Sequence, residues 1–189
     1  MVIDGILDDD AWNATPVFTT NYQVFPRTLS KHHNNFSYRV ITTEKGIFLG
    51  LKATTENILR IRTQENDKVF SNDHFQIMLD VNNDEQESYI FVINHQGNYF
   101  DGNYNIGREI DLDWSAQWEY QVKIDNDNWI AEVFIPWDTM TFSVEAKNEL
   151  GVYISRFDES SNATYASAPV NKEMNGFFQK FSTIFNHRC

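Results

Sequence analysis

Pairs of carboxylates are the first residues in this sequence to test for chemistry, because hydrolysis needs a general acid and a general base. Asp111 and Asp113 form one such pair, in a stretch with turn character. A chain with 27 acidic residues supplies such pairs by chance, and it has no Gly-x-Ser-x-Gly sequence that would seat a nucleophilic serine. The sequence therefore predicts a protein that is not an enzyme.

Oxygen-bearing side chains suggest a second chemistry, calcium binding. Asp80, Asn82 and Asp84 match the first three ligand positions of a helix-loop-helix calcium loop. However, Glu85 stands where that loop needs glycine, and Phe91 where it needs a bidentate glutamate. The segment is not that motif, but Asp80 and Asp84 remain candidate ligands for a structural calcium ion. A solvated turn is the alternative.

An aromatic ring beside carboxylates is a third candidate. Trp114 follows Asp111 and Asp113 in an expected loop. An exposed indole there can stack on the C–H face of a sugar while the acids bind its hydroxyl groups. Packing against the core is the other explanation for Trp114. The five histidines, by contrast, show no spacing typical of a zinc site.

Short strands must position these residues, because apolar side chains alternate along much of the chain and no long stretch shows a 3.6-residue period. The pattern predicts about nine or ten strands, with 118–124 and 129–135 as the clearest hairpin. The fold class is therefore all-β, a sandwich or a barrel, with at most one or two short helical turns. The segment 158–176 is the least structured and is a candidate functional loop.

Length and charge narrow the partners of the chain. Its 189 residues suit one sandwich domain that spans 1–189. The net charge of −12 disfavours nucleic acid and anionic membrane surfaces, and no segment is apolar for long enough to insert into a membrane. The one cysteine, Cys189, cannot form an intramolecular disulfide. No signal peptide is predicted at the N-terminus.

Several stretches resemble carbohydrate-binding module family 9. Residues 3–12 have the family's Ile-Asp-Gly followed by acids and a tryptophan, 69–80 is similar to its central strand, and 129–137 contains Glu-x-x-Ile-Pro-Trp. Other stretches resemble the N-terminal modules of bacterial outer-membrane proteins, where a β-barrel of unknown function follows: 93–97, 113–118 and 151–156. The resemblance implies a jelly-roll or immunoglobulin-like sandwich of two antiparallel sheets. It also implies export to the periplasm or cell surface, structural calcium, and the parent protein's β-barrel as a partner.

The resemblance also implies a non-catalytic site for a mono- or oligosaccharide. Members of the family clamp a sugar between two tryptophans, whose positions fall here on Phe70 and, in the late loop, Tyr165. Both residues are aromatic and neither is tryptophan. We expect the two rings to form an aromatic slot, with Asn162, Asp73 and Arg156 as polar contacts to the ligand.

Two other functions stay open, because an arginine that helps the family bind its ligand is Val92 in this sequence. One is a structural or protein-docking module without a sugar site. The other is a sandwich that binds b-type haem, with axial ligands drawn from His74, Met78, Met140 or Met174. A methionine on a strand more often packs in a core than binds a metal.

Overall fold

The structure, a computed structural model, describes residues 1–54, 66–105, 107, 109–111, 113–125, 127–144, 148–170, 173 and 175–185, with the backbone alone at 34 and 66–68. Met174 and Cys189 lie outside the described residues. The strands, in chain order, are β1 (Phe18–Phe25), β2 (Lys31–Thr42), β3 (Gly46–Thr54), β4 (His74–Asp80), β5 (Glu87–Asn94), β6 (Tyr99–Asn105), β7 (Ile110–Asp111), β8 (Glu119–Asp125), β9 (Asn128–Pro136), β10 (Glu149–Asp158), β11 (Ala163–Ala166) and β12 (Ser182–Phe185).

Helical structure in the described part of the chain is limited to four short segments. One is an α-helix, α1 (Asp10–Asn13), and three are 3₁₀ turns at Asn66–Ser71, Trp137–Thr139 and Phe178–Lys180. The sequence predicts one or two such segments, and 3₁₀ turns this short carry too few residues to show a helical period. None of the described helices is long and apolar enough to cross a membrane.

The strands pair in one antiparallel path that folds into two layers, so the predicted all-β sandwich is confirmed. Their order is β7-β6-β5-β4-β10-β11-β1-β2-β3-β9-β8. β12 pairs with the first four residues of β10, 149–152. The first layer runs from β7 to β10, and the second contains β2, β3, β9 and β8. β11 and β1 join the two layers along one side.

The predicted hairpins form as expected, whereas three strands were not predicted from the sequence. β2 pairs with β3, and β8 pairs with β9 across a tight turn. The missed strands are β1, β7 and β11, which are short, carry many polar residues, or both. β11 lies inside the segment that the sequence predicts to be least structured.

The main core fills the space between the layers, because apolar residues recur at every second position of the central strands. Phe75, Ile77 and Leu79 of β4 face Leu49 and Leu51 of the second layer, and all five are fully buried. The intervening residues of β4 point outward. This alternation decides which side chains can reach a ligand on the outer face.

The N-terminal segment packs on the outer face of the second layer, where Glu132 holds it. The buried Glu132 carboxylate accepts hydrogen bonds from the backbone N–H groups of Asp4 and Gly5 at 2.9 and 3.0 Å and from Trp12 Nε1 at 2.9 Å. Gly50, the register partner of Glu132, leaves room for Leu7, whose side chain would lie 2.8 Å from an added Cβ. The Ile-Asp-Gly, Trp and Glu-x-x-Ile-Pro-Trp stretches are therefore one docking unit.

A second apolar cluster covers part of the outer face of the first layer. Met78 and Tyr153 lie there beneath Phe177 and Phe178 of the segment that leads to β12. The Tyr153 hydroxyl donates a hydrogen bond to the Val170 carbonyl at 2.7 Å, which ties this segment to the sheet. The covering is incomplete, and the gap that it leaves is the site described next.

Candidate functional site

A cleft of about 310 Å³ opens on the outer face of the first layer, and we call it the outer cleft. Outward-facing side chains of β4, β5, β10 and β11 form its floor. Its sides come from the ends of β1, β6 and β7, the 3₁₀ turn before β4 and the segment before β12. Sites for small molecules typically occupy about 300–1,000 Å³, so the cleft suits a small ligand.

Aromatic rings stand at the mouth of the outer cleft. Phe70 and Phe25 are 45% and 57% exposed, which is unusual for side chains of this size. The Phe70 ring lies edge-on to His74 at 5.6 Å, and His74 lies 5.5 Å from the half-buried Phe157. Phe70 also contacts Phe100 at 5.2 Å, which fixes its position. Exposed ring faces of this kind stack on the C–H faces of sugars.

His74 lines the outer cleft as a neutral hydrogen-bond acceptor. Its Nδ1 lies 2.7 Å from the Asn72 carbonyl oxygen and must donate, since a carbonyl only accepts. Burial lowers the pKa of His74, against smaller opposing effects of this hydrogen bond and of the Asp73 charge. The ring is therefore neutral near pH 7, with its proton on Nδ1 and an acceptor at Nε2.

Other polar groups cross the floor of the outer cleft. Gln76 of β4 and Ser155 of β10 are register partners on the same outward face. Thr164 of β11 lies beside Phe157, and Glu173 stands at the side of the cleft. Together with His74, these side chains offer amide, hydroxyl and carboxylate partners within one small volume. They are the groups that orient a polar ligand over aromatic rings.

The structure does not bring Phe70 and Tyr165 together as the sequence predicts. Tyr165 pairs with Arg156 and faces the interior, whereas its neighbour Thr164 faces the outer cleft. The Tyr165 side chain is 8% exposed and lies edge-on to His32 at 5.1 Å. The predicted slot is therefore wrong, because Tyr165 points into the main core whereas Phe70 stands at the mouth of the outer cleft. Without β11, the facing of Tyr165 could not be assigned.

Asp73 and Arg156 also have a different role from the predicted one. Arg156 is fully buried, and its Nε and Nη2 donate to the two carboxylate oxygens of Asp73 at 3.0 and 2.6 Å. Arg156 Nη1 donates to the carbonyls of Asn35 and Thr54, and Trp129 Nε1 donates to Asp73 at 3.1 Å. These groups bond to each other inside the sandwich and are not polar contacts to a ligand in the outer cleft.

Asn162 and Trp114 do not line the outer cleft. Asn162 is exposed in the turn between β10 and β11 with φ of 49°, a conformation that asparagine tolerates. Trp114 is half-buried, with its ring 4.7 Å from Tyr89 and 5.9 Å from Phe91. Trp114 therefore packs against the core, which is the second of the two explanations given above. A ligand contact by Asn162 stays a prediction.

The Asp80 carboxylate accepts hydrogen bonds from the backbone of the turn that follows it. It accepts backbone hydrogen bonds from Asp84 at 3.3 Å and Glu85 at 2.9 Å. Burial raises the pKa of Asp80, these hydrogen bonds oppose the rise, and the nearby Asp84 charge adds to it. Among the described residues, no three His, Cys, Asp or Glu side chains form a metal cluster. This donor set does not favour a cation, and calcium at Asp80 and Asp84 stays a prediction.

The residues that line the outer cleft were largely missed by sequence reasoning. His74, Gln76 and Met78 occupy the outward positions of β4, and the sequence suggests two of them only as haem ligands. The sequence does contain a signal for them. β4 has one fully apolar face, and its other face mixes polar and apolar residues, which indicates that this second face is only partly covered. Met140, another haem candidate, packs in the main core instead.

Comparisons with known proteins agree with this architecture. Two similar solved structures are of a carbohydrate binding module family 9 from Caldicellulosiruptor kristjanssonii, in complex with cellotriose and with glucose. Each is 15% identical with a TM-score of 0.68 and covers 100% of this chain, which covers 90% and 92% of those chains. A proposed carbohydrate-binding protein from Bacteroides uniformis is 12% identical with a TM-score of 0.69, over 93% of this chain and 88% of that one.

These structural likenesses establish the fold alone, because all three sequence identities are low. No curated protein matches the chain. The family model described as carbohydrate family 9 binding domain-like matches residues 3–176, which include the docking unit of Glu132 and most of the residues around the outer cleft. On this match, the chain belongs to the carbohydrate family 9 binding domain-like family.

Proposed function

We propose that this chain is a non-catalytic carbohydrate-binding module that holds a sugar in the outer cleft. The observation that carries the proposal is an exposed aromatic side chain, Phe70, at the mouth of a small cleft with polar groups on its floor. Family membership supports it, as does the likeness to modules that were solved with cellotriose and glucose. Sugars present C–H faces to rings and hydroxyl groups to polar side chains, so both features match.

The arrangement supports binding rather than hydrolysis. Among the described residues that line the outer cleft, Glu173 is the single carboxylate. Glycosidases generally place two carboxylates about 5–10 Å apart, one on each side of the bond that is cleaved. One acidic side chain cannot fill both roles.

Each group of residues has its own part in the proposed complex. Phe70 and Phe157 contact the C–H face of the sugar ring. His74 Nε2 accepts a hydrogen bond from a hydroxyl group, and Gln76 and Ser155 donate to or accept from others. The other four residues lie on strands, and Phe70 packs against His74 and Phe100, so the site is held in place before the ligand arrives.

We also propose that the module works outside the cytoplasm as part of a larger surface protein. The stretches similar to N-terminal modules of bacterial outer-membrane proteins support this setting, with the parent β-barrel as a structural partner. Expression of the natural gene with an epitope tag, followed by cell fractionation, tests the location. Recovery of the tagged protein in the cytoplasmic fraction would contradict it.

Isothermal titration calorimetry with glucose, cellotriose and a panel of other sugars tests the proposed function. We expect weak binding that Phe70→Ala reduces at least about fivefold, if stacking on a sugar matches the stacking of bases on aromatic rings, which is worth about 1–3 kcal/mol. Phe18→Ala is the matched control, because Phe18 is 48% exposed but stacks on Tyr38 away from the outer cleft. No heat with any sugar, or equal loss in both variants, would favour a structural or docking module.

A further inference from the structure

We propose that the sugar held in the outer cleft carries a methyl group, as a 6-deoxy sugar or an N-acetyl sugar does, and that this methyl is buried at one end of the cleft. The inference rests on the proposed sugar-binding function and names the class of sugar. It follows from how the strand register divides the floor into a polar part and an apolar part.

The register sets three rows of side chains across the floor. His74 pairs with Phe157 in the row nearest the mouth, and Gln76 pairs with Ser155 in the middle row. Met78 is the next outward residue of β4, and it pairs with Tyr153 on one side and with Ile90 on the other. Polarity therefore changes along the strands, from polar and aromatic to apolar, within four residues, or about 13 Å.

The third row closes the outer cleft with apolar surface. Met78, Ile90 and Tyr153 are 1%, 3% and 3% exposed, and all three line the cleft. Phe177 packs above them, with its ring 5.0 Å from that of Tyr153. The Tyr153 hydroxyl is committed to the Val170 carbonyl at 2.7 Å, so it is not available to a ligand in this geometry.

The polar rows anchor the ring of the sugar at the other end. Gln76, Ser155 and the Nε2 atom of His74 can each bond to a hydroxyl group, and Thr164 adds a hydroxyl beside Phe157. A sugar bonded to these groups directs the opposite end of its ring toward the third row. A hydroxyl placed against the third row loses its water and gains no hydrogen bond from Met78, Ile90 or the Tyr153 hydroxyl, whereas a methyl group fits this apolar surface.

Matched pairs of free sugars test this inference. L-fucose differs from L-galactose only by a methyl in place of a hydroxymethyl group, and N-acetylglucosamine differs from glucose by its acetamido group. We expect at least one methyl-bearing sugar to bind about fourfold or more tightly than its partner, which is the gain from burying one methyl. The fucose and N-acetylglucosamine arms distinguish the two sources of the methyl.

A variant connects the preference to the third row. Ile90→Thr keeps a β-branched residue on β5 and places a hydroxyl in the apolar end. We expect it to reduce the preference for the methyl-bearing sugar to near parity. Ile130→Thr, on the outer face of the second layer, is the matched control and should leave the preference unchanged.

A second measurement holds even where a variant folds poorly. In protein labelled with ¹³C at its methionine methyl groups, the methyl of the bound sugar should show a nuclear Overhauser effect to Met78. Equal affinities within both pairs, with binding still lost in Phe70→Ala, would overturn the inference and leave the proposed function intact. Absence of binding by every sugar, in contrast, would overturn both.

Discussion

Arg156→Met is expected to destabilise the fold strongly, because it leaves the Asp73 carboxylate buried without its counter-ion. The variant removes both hydrogen bonds between the two side chains, together with those from Arg156 to the carbonyls of Asn35 and Thr54. Asp73 is only 6% exposed, so water cannot replace the guanidinium. Breaking one partner of a buried ion pair costs about 3–5 kcal/mol, and we expect a loss in that range.

Asp73→Asn should also destabilise the fold, because it removes the carboxylate 2.6 Å from the buried guanidinium and leaves that of Asp158 3.8 Å away. The asparagine retains an acceptor for Trp129. The double variant removes both charges, so its loss should fall below the sum of the two single losses by about 2 kcal/mol or more. Urea unfolding followed by tryptophan fluorescence measures all three, because Trp129 bonds to Asp73 directly.

Lys52→Met is a suitable control for this cycle, because it removes an exposed cation from β3 and should change stability by less than about 0.5 kcal/mol. Additive losses for Asp73→Asn and Arg156→Met would show that the two groups do not act as a pair. A loss below about 1 kcal/mol for either single variant would also refute the reasoning from burial.

Three further predictions concern other buried or acidic groups. Glu132→Ala should lower stability by about 3 kcal/mol or more and expose the N-terminal segment to limited proteolysis; intact resistance would contradict the docking unit. The pKa of His74 is lowered in the folded state, so below about pH 6.5 the unfolded chain binds a proton that the folded protein does not. The free energy of unfolding therefore decreases as the pH falls. The melting temperature of the wild type should therefore fall more steeply than that of His74→Gln between pH 7 and about pH 5, and parallel curves would count against it. Calcium, if Asp80 and Asp84 hold it, should raise the melting temperature of chelator-treated protein but not of Asp84→Asn, and no rise in the wild type would exclude a site there.

The layers of the fold could be predicted because a strand with one buried face has apolar residues at every second position. In β4, the alternation of Phe75, Ile77 and Leu79 with other residues is enough to indicate one buried face. β11 shows no such alternation, since its four residues are small or polar apart from Tyr165. Its pairing with β10 and β1 depends on contacts between distant parts of the chain, which a local pattern does not contain.

The candidate site was harder to predict for a related reason. Phe70 was identified through the family resemblance, and the structure places it at the outer cleft. Asp73 and Arg156 were misassigned because a charged residue in a sequence looks the same whether it faces water or a buried partner. The facing of Tyr165 required the register of a strand that had not been predicted, so the outer cleft could not be assembled from sequence alone.

The attachment of the N-terminal segment by Glu132 has a practical consequence for experiments on this molecule. Asp4 and Gly5 are held against the back of the second layer, and the outer cleft opens on the far side of the first. A biotin attached beside this N-terminal segment would thus leave the cleft turned toward the solution when the protein is fixed to a sensor surface. Sugars passed over the protein in that orientation reach the cleft without interference from the support.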